Sequence, residues 1–338
     1  LSAEIVYRQP LDEAGQSGVC LQGDKLFLTM HAKLEGRMKG GFFFNGDVVG
    51  QCFDKLTGKL LWSVDLPGTW AGRVLESWHD STSLLPVATD KHVVFHNLNG
   101  MLVCFTHEGK LVWERKWQAP NPDIKNCRMF LNGGKLLVSL PSDKIAVQEN
   151  EKHPALPFYQ IRSIDLKTGK DLWVSPTLLH HGTQYSLGEW KGKTVMVASM
   201  IDLSHWKFKQ GRKGYLLSLD DGKPILTFDL PPAIPHQKNQ LYQGKFLVTG
   251  TNRKETQFHL VDPETAEITK EFAFEKPDRY FGWNGKEYVE QDFVPEYVDR
   301  TLKGKGKPTP STVHAFEDRI YFWRYDSGDI GCIDVKTG

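Results

Sequence analysis

Apolar and polar positions follow one recurring plan along the chain. A short apolar run ends, in most copies, at an Asp; a turn containing Gly-Lys follows, and then a second run carrying Trp. It reads CFDKLTGKLLW from Cys52 to Trp62, CFTHEGKLVW from Cys104 to Trp113 and SIDLKTGKDLW from Ser163 to Trp173. Weaker copies are SLDDGKPIL from Ser218, LVDPETAEI from Leu260 and CIDVKTG from Cys332. In the three strong copies Trp stands four residues after the turn Gly. Gly supplies the positive φ that a tight hairpin needs, and an Asp side chain can accept hydrogen bonds from turn amides. The pattern therefore predicts six hairpins.

A second marker precedes each hairpin: a short turn, a Lys or Arg, then a run rich in strand formers. It occurs at Lys25, Lys91, Lys135, Lys193, Lys245 and Arg319, at intervals of 44 to 74 residues, with a degenerate seventh copy, WNGKEYV, at Lys286. Each unit then holds a marker strand, at least one connecting strand and a Gly-turn hairpin. A repeated four-stranded antiparallel meander is the sequence image of a propeller blade. The prediction is an all-β propeller of four-stranded antiparallel blades, seven with one degraded, or six with a long insertion. It is read as one domain over 1–338 with long loops near 31–46, 142–157, 202–213 and 276–310. EIVYRQPLD, from Glu4, matches the strand that follows the Gly-Lys turn elsewhere, so the N-terminal strand is expected to close the last blade.

Composition supports this class. There are 13 Ala against 31 Gly, 18 Pro, 10 Trp, 10 Tyr and 19 Phe, which is poor in the best helix former and rich in strand and turn residues. With 42 Lys+Arg against 41 Asp+Glu, the net charge of +1 offers no field for generic nucleic-acid binding. No run approaches the about 18 apolar residues of a spanning helix.

The string Φ-Asp-x-x-Thr-Gly-Lys-x-x-Trp resembles the repeat of the quinoprotein-like (PQQ-binding-like) β-propellers, over nearly the whole chain except about 276–310. The resemblance implies the fold. Activity does not travel with it, because the family includes quinone-dependent dehydrogenases as well as propellers that serve as scaffolds. Members with catalytic quinone generally carry adjacent cysteines as a ring disulfide, and this chain has no Cys-Cys pair, so a catalytic quinone is not expected. Cys52, Cys104 and Cys332 share one strand position, where other copies have Ser163 and Ser218, which reads as packing. Propellers of this family are commonly exported, so a periplasmic or extracellular location is expected; free cysteines leave the cytoplasm open.

Aligning the units on the marker Lys or Arg places Gln16, Asn126, Gln184 and His236 nine residues upstream, with Lys125 and Asn239 adjacent; these are candidate ligand-binding residues at one mouth of the axial channel. His79, His181 and Asp123 stand twelve upstream. With His236 they form a candidate site for a divalent metal, since imidazoles with one carboxylate suit zinc or a similar ion. The same mouth could support proton transfer on an acidic sugar, with Arg128 neutralising a carboxylate and His181, His79 or Tyr185 moving protons. The leading reading is recognition: a monomeric scaffold presenting its channel mouth and rim loops to a carbohydrate or protein partner. The alternative is a polysaccharide lyase-type or metal-assisted enzyme.

Overall fold

The structure is a computed structural model. It describes residues 7–12, 15, 17–32, 48–67, 82, 84–97, 101–116, 128–147, 156–180, 183–200, 213–230, 240–251, 256–273, 280–283, 288–291, 310–324 and 330–338. All regular structure among them is β. Two compact units are distinguished, one comprising 3–181 with 220–223, the other 182–219 with 224–338 and the first two residues.

The first unit holds three four-stranded antiparallel sheets. They are β1 (Cys20–Gln22) to β4 (Leu60–Leu66) through β2 (Lys25–His31) and β3 (Val48–Asp54); β5 (Val87–Ala88), β6 (His92–Asn97), β7 (Met101–Thr106) and β8 (Leu111–Lys116); and β9 (Met129–Asn132), β10 (Lys135–Val147), β11 (Leu156–Asp165) and β12 (Asp171–Val174). Strands within each sheet pair in chain order. In the second unit β13 (Gln184–Trp190) to β16 (Pro224–Asp229) form one sheet with β14 (Lys193–Met200) and β15 (Lys213–Ser218). Another runs from β17 (Gln240–Tyr242) through β18 (Lys245–Thr251) and β19 (Thr256–Val261) to β20 (Ile268–Ala273). β21 (Tyr280–Trp283) and β22 (Tyr288–Gln291) pair only with each other among the described residues, and β23 (Pro310–Phe316), β24 (Arg319–Arg324) and β25 (Ile330–Asp334) form a three-stranded sheet. Lys25, Lys135, Lys193, Lys245 and Arg319 each open the second strand of a sheet, and Lys91 immediately precedes one.

The middle strands read as continuous apolar runs because their sheets are covered on both faces. On β6, Val93 and Phe95 pack with Phe27, Cys52 and Phe105, while Val94 packs with Leu136, Val138 and Ile164 of the following sheet. In the second unit, Val195, Val197 and Leu216 pack with Phe246 and Val248. Phe258 and Leu260 pack with Val313 and Ile320. The stretch from 142, expected to be a loop, partly continues as a hairpin: β10 and β11 stay paired through irregular register to Ile145↔Pro157 and Val147↔Leu156. A bulge lets a ladder pass such a polar, proline-bearing segment without ending.

The turn chemistry is as the repeat predicts. The Asp54 carboxylate accepts from the amides of Leu56 (3.1 Å) and Thr57 (2.8 Å), and Asp165 and Asp334 do the same for Lys167 and Lys336 (2.7 and 2.9 Å). Where Asp is replaced by Thr106, its hydroxyl accepts from Glu108 at 3.2 Å. The turn Gly then meets the aromatic ring of the preceding repeat. Trp62 Nε1 donates to the His107 carbonyl at 2.7 Å, and Trp113 Nε1 to the Leu166 carbonyl at 2.7 Å. Gly169, at φ +70°, lies so close to Trp113 that a Cβ would stand 2.7 Å from the indole, so both backbone and space require Gly.

Tyr7 repeats this contact on the first turn, donating its hydroxyl to the Lys55 carbonyl at 2.9 Å, with its ring against Gly58. In the second unit Ala266 takes the turn position at φ +60°, and Lys270, four residues on, stands where other repeats have Trp. The Lys270 ammonium donates to the carbonyls of Val335 and of Lys336, the latter at 3.3 Å. The β17–β20 sheet thus docks directly on the turn after β25. Tyr242 (donor) on the Glu317 carbonyl and Gln240 on the Ala315 carbonyl (3.2 Å) add to this joint.

Candidate functional site

Of the residues expected at a channel mouth, Gln184, Tyr185 and Arg128 are described. Gln184 opens β13 and is 8% exposed; Tyr185 follows at 6% and pairs in register with Ala198. Arg128 immediately precedes β9, and its carbonyl accepts from the Ser139 amide at 3.1 Å. Gln184 and Tyr185 belong to one compact unit and Arg128 to the other. His79, His181, His236, Asp123, Gln16, Asn126, Asn239 and Lys125 lie outside the described residues. Among the described residues no group of three or more His, Cys, Asp or Glu could hold a metal ion.

The nine-residue offset meets the start of a first strand at Gln184 and at Pro310, which opens β23. The other described first strands open later, at Cys20, Val87, Met129 and Gln240, three or more residues beyond the aligned positions. First strands of two to four residues in those sheets, against seven in β13 and β23, explain the difference.

Burial disfavours the charged forms of several described core groups. His96 is 1% exposed on β6, and desolvation pushes its pKa down to about 3. His259 is also lowered by burial, with Glu271 at 4.0 Å opposing the shift. Burial raises the Cys104 thiol to about 12 and Cys52 to about 11. Cys20, Cys52, Cys104 and Cys332 are free thiols. Cys52 and Cys104 are each in register with the Trp of the next strand, the packing role the repeat predicts. Such thiols are poor nucleophiles.

One feature escaped the sequence reading. Beside the end of β4 lies a groove of about 320 Å³ whose lining includes Val64 and Asp65 of β4, Phe105 of β7, and Leu111, Glu114 and Lys116 of β8. Leu111 is 56% exposed. The ammonium of Lys116 sits 3.5 Å from Glu114, whereas no cation among the described residues pairs with Asp65. The available signal was compositional: LLWSVDL carries a single charge, while LVWERK of β8 carries three.

Comparison with known proteins bears on the fold. The PQQ-like repeat model described as outer membrane protein assembly factor BamB matches residues 45–223, more than half of the 338. The chain belongs to this family. BamB from Moraxella catarrhalis superposes with a TM-score of 0.54 at 11% identity, over 95% of this chain and 73% of that one. A europium-containing methanol dehydrogenase superposes at 0.53 with 12% identity, over 95% of this chain and 67% of its own. At these identities the likeness establishes the all-β propeller fold and nothing finer. No curated protein matches the chain. The quinone that names the family fits poorly here. The sequence has no adjacent cysteine pair, and the described thiols are free on separate strands.

Proposed function

We propose that the protein is a scaffold of the BamB-like propeller family that works by binding a protein partner. The observation that carries this reading is a repeated presentation of apolar side chains on the fourth strands of its sheets. Leu60 and Leu61 on β4, Leu111 on β8, Leu172 on β12, Ile225 on β16 and Ile268 on β20 are 41 to 56% exposed. Among the described residues each of those strands is the edge of its sheet. Apolar groups on strand edges are costly to leave in water and favour association. The described aromatic rings are less suited to sugar stacking, since Trp62 and Trp113 are engaged by neighbouring turns and Trp190 lies under Lys191.

The docking of Lys270 on the C-terminal turn supports the six-bladed reading over the seven-bladed one. The family description supports a place outside the cytoplasm, at a bacterial outer membrane. Among the described residues no helix is long and apolar enough to cross a membrane.

The test is photo-crosslinking in the native host from benzoylphenylalanine placed, one site at a time, at the exposed positions Ser63, Lys191 and Phe316. One protein recovered reproducibly supports the reading. No protein adduct at any of the three positions would overturn it, and one equivalent of bound zinc, calcium or manganese lost in His181→Ala would then favour a metal-assisted enzyme.

A further inference from the structure

The five edge strands are not equally protected. Natural sheets blunt an edge with charge, proline or shortness, so that no stray strand can add to it. β8 carries Glu114, Arg115 and Lys116. β12 is four residues long, and its Asp171 is clamped by Arg115 at 2.6 Å and Arg162 at 2.8 Å. β16 begins at Pro224, and its Asp229 is paired with Lys213 at 3.0 Å. β20 carries Lys270 and Glu271. β4 has seven residues, no Pro and a single charge, Asp65, with Leu60 and Leu61 exposed at 41 and 44%. Among the described residues it is the long edge with one charge and no proline to protect it, and with β8 it borders the groove lined by Phe105 and Leu111.

We propose that β4 and this groove bind an extended segment of a protein partner, added as a further antiparallel or parallel strand on the free edge. Main-chain hydrogen bonds to β4 supply affinity, and alternate side chains supply selectivity. One apolar side chain of the segment enters the groove. A Lys or Arg beside it faces Asp65, whose carboxylate has no cationic partner among the described residues, while Glu114 already has Lys116. The excess of acid over base at the rim, two carboxylates to one ammonium, selects a basic rather than an acidic segment. The proposal rests on the protein-binding reading above.

The probe is a fluorescein-labelled eight-residue peptide alternating valine and lysine, with a valine–glutamate peptide as its counterpart, both followed by fluorescence anisotropy on the full chain. The lysine peptide is expected to bind wild type at least tenfold more tightly than the glutamate peptide. Asp65→Lys, at an exposed position, should erase or invert that preference. Leu111→Arg should weaken both peptides by filling the groove its side chain lines. Equal binding of both peptides to all three proteins, or binding to none, would overturn the proposal. So would self-association that Asp65→Lys abolishes without any peptide binding, because the edge would then serve a second copy. Crosslinks to a partner from Lys191 or Phe316 but not from Ser63 would leave the scaffold reading standing and remove this site. The absence of protein crosslinks from all three positions would remove both.

Discussion

The joint made by Trp113 and the joint made by Lys270 occupy the same place in their repeats and use different chemistry. Trp113 is 8% exposed, lays its ring on Gly169 and donates one hydrogen bond to the Leu166 carbonyl. Lys270, four residues after the turn residue Ala266, passes over the Phe272 ring at 5.1 Å and reaches the Val335 and Lys336 carbonyls. What the two share is a donor meeting the outward carbonyls of a hairpin turn. The apolar area is dispensable to the geometry. It is not dispensable to stability, and that contrast can be measured.

The largest expected effect is that of Trp113→Ala. Truncation of a buried aromatic costs about 3–5 kcal/mol, and here the Leu166 carbonyl also loses its donor; chemical denaturation would show it. Gly169→Ala should come next, at about 2–3 kcal/mol, because a left-handed backbone costs about 1–2 kcal/mol and the new methyl meets the indole. Gly133, at φ +54° with nothing within 4 Å of its Cβ position, isolates the backbone share: its Ala variant should lose only about 1–2 kcal/mol. If Gly133→Ala and Gly169→Ala cost the same, the contact with Trp113 contributes nothing. Lys270→Met, which keeps the stem and removes the donors, should cost about 1–2 kcal/mol.

The smallest effect concerns two buried histidines. His96 has a folded pKa of about 3, below its unfolded value, so the unfolded chain takes up a proton first as pH falls. Its contribution is complete above about pH 6.5 and is lost progressively towards pH 3, amounting to about 1 kcal/mol by pH 5.5. His259 is lowered too, but Glu271 moderates it. NMR titration should show His259 protonating at higher pH than His96; the reverse order would mean that Glu271 does not reach the ring.

The hairpins were legible because each is written locally: Asp or Thr at the first turn position, Gly or a substitute at φ above zero, and the ring four residues on. Strand order followed, since every described sheet pairs its strands in chain order. Lys270 was not recognised as a Trp equivalent, because the repeat identifies the position by its ring and not by its donor. The candidate site was harder to read. Strand-entry loops carry no periodicity, and a fixed offset from the marker Lys works only where the first strand has the length of β13. The groove beside β4 depends on two sheets meeting, which no single segment encodes.

Tyr7, Trp62, Trp113 and Lys270 each act as a plug, and the turns at Gly58, Gly109, Gly169 and Gly338 each act as a socket. A repeat such as the one from Lys91 to Trp113 carries its socket before its plug. Duplication or deletion of a whole repeat therefore leaves every joint matched, while recombination between a turn and the ring that follows it separates the two halves of one repeat. Repeats joined this way can change in number over evolutionary time without redesign of the joints described, which gives the chain a route to diverge far in sequence while keeping its architecture.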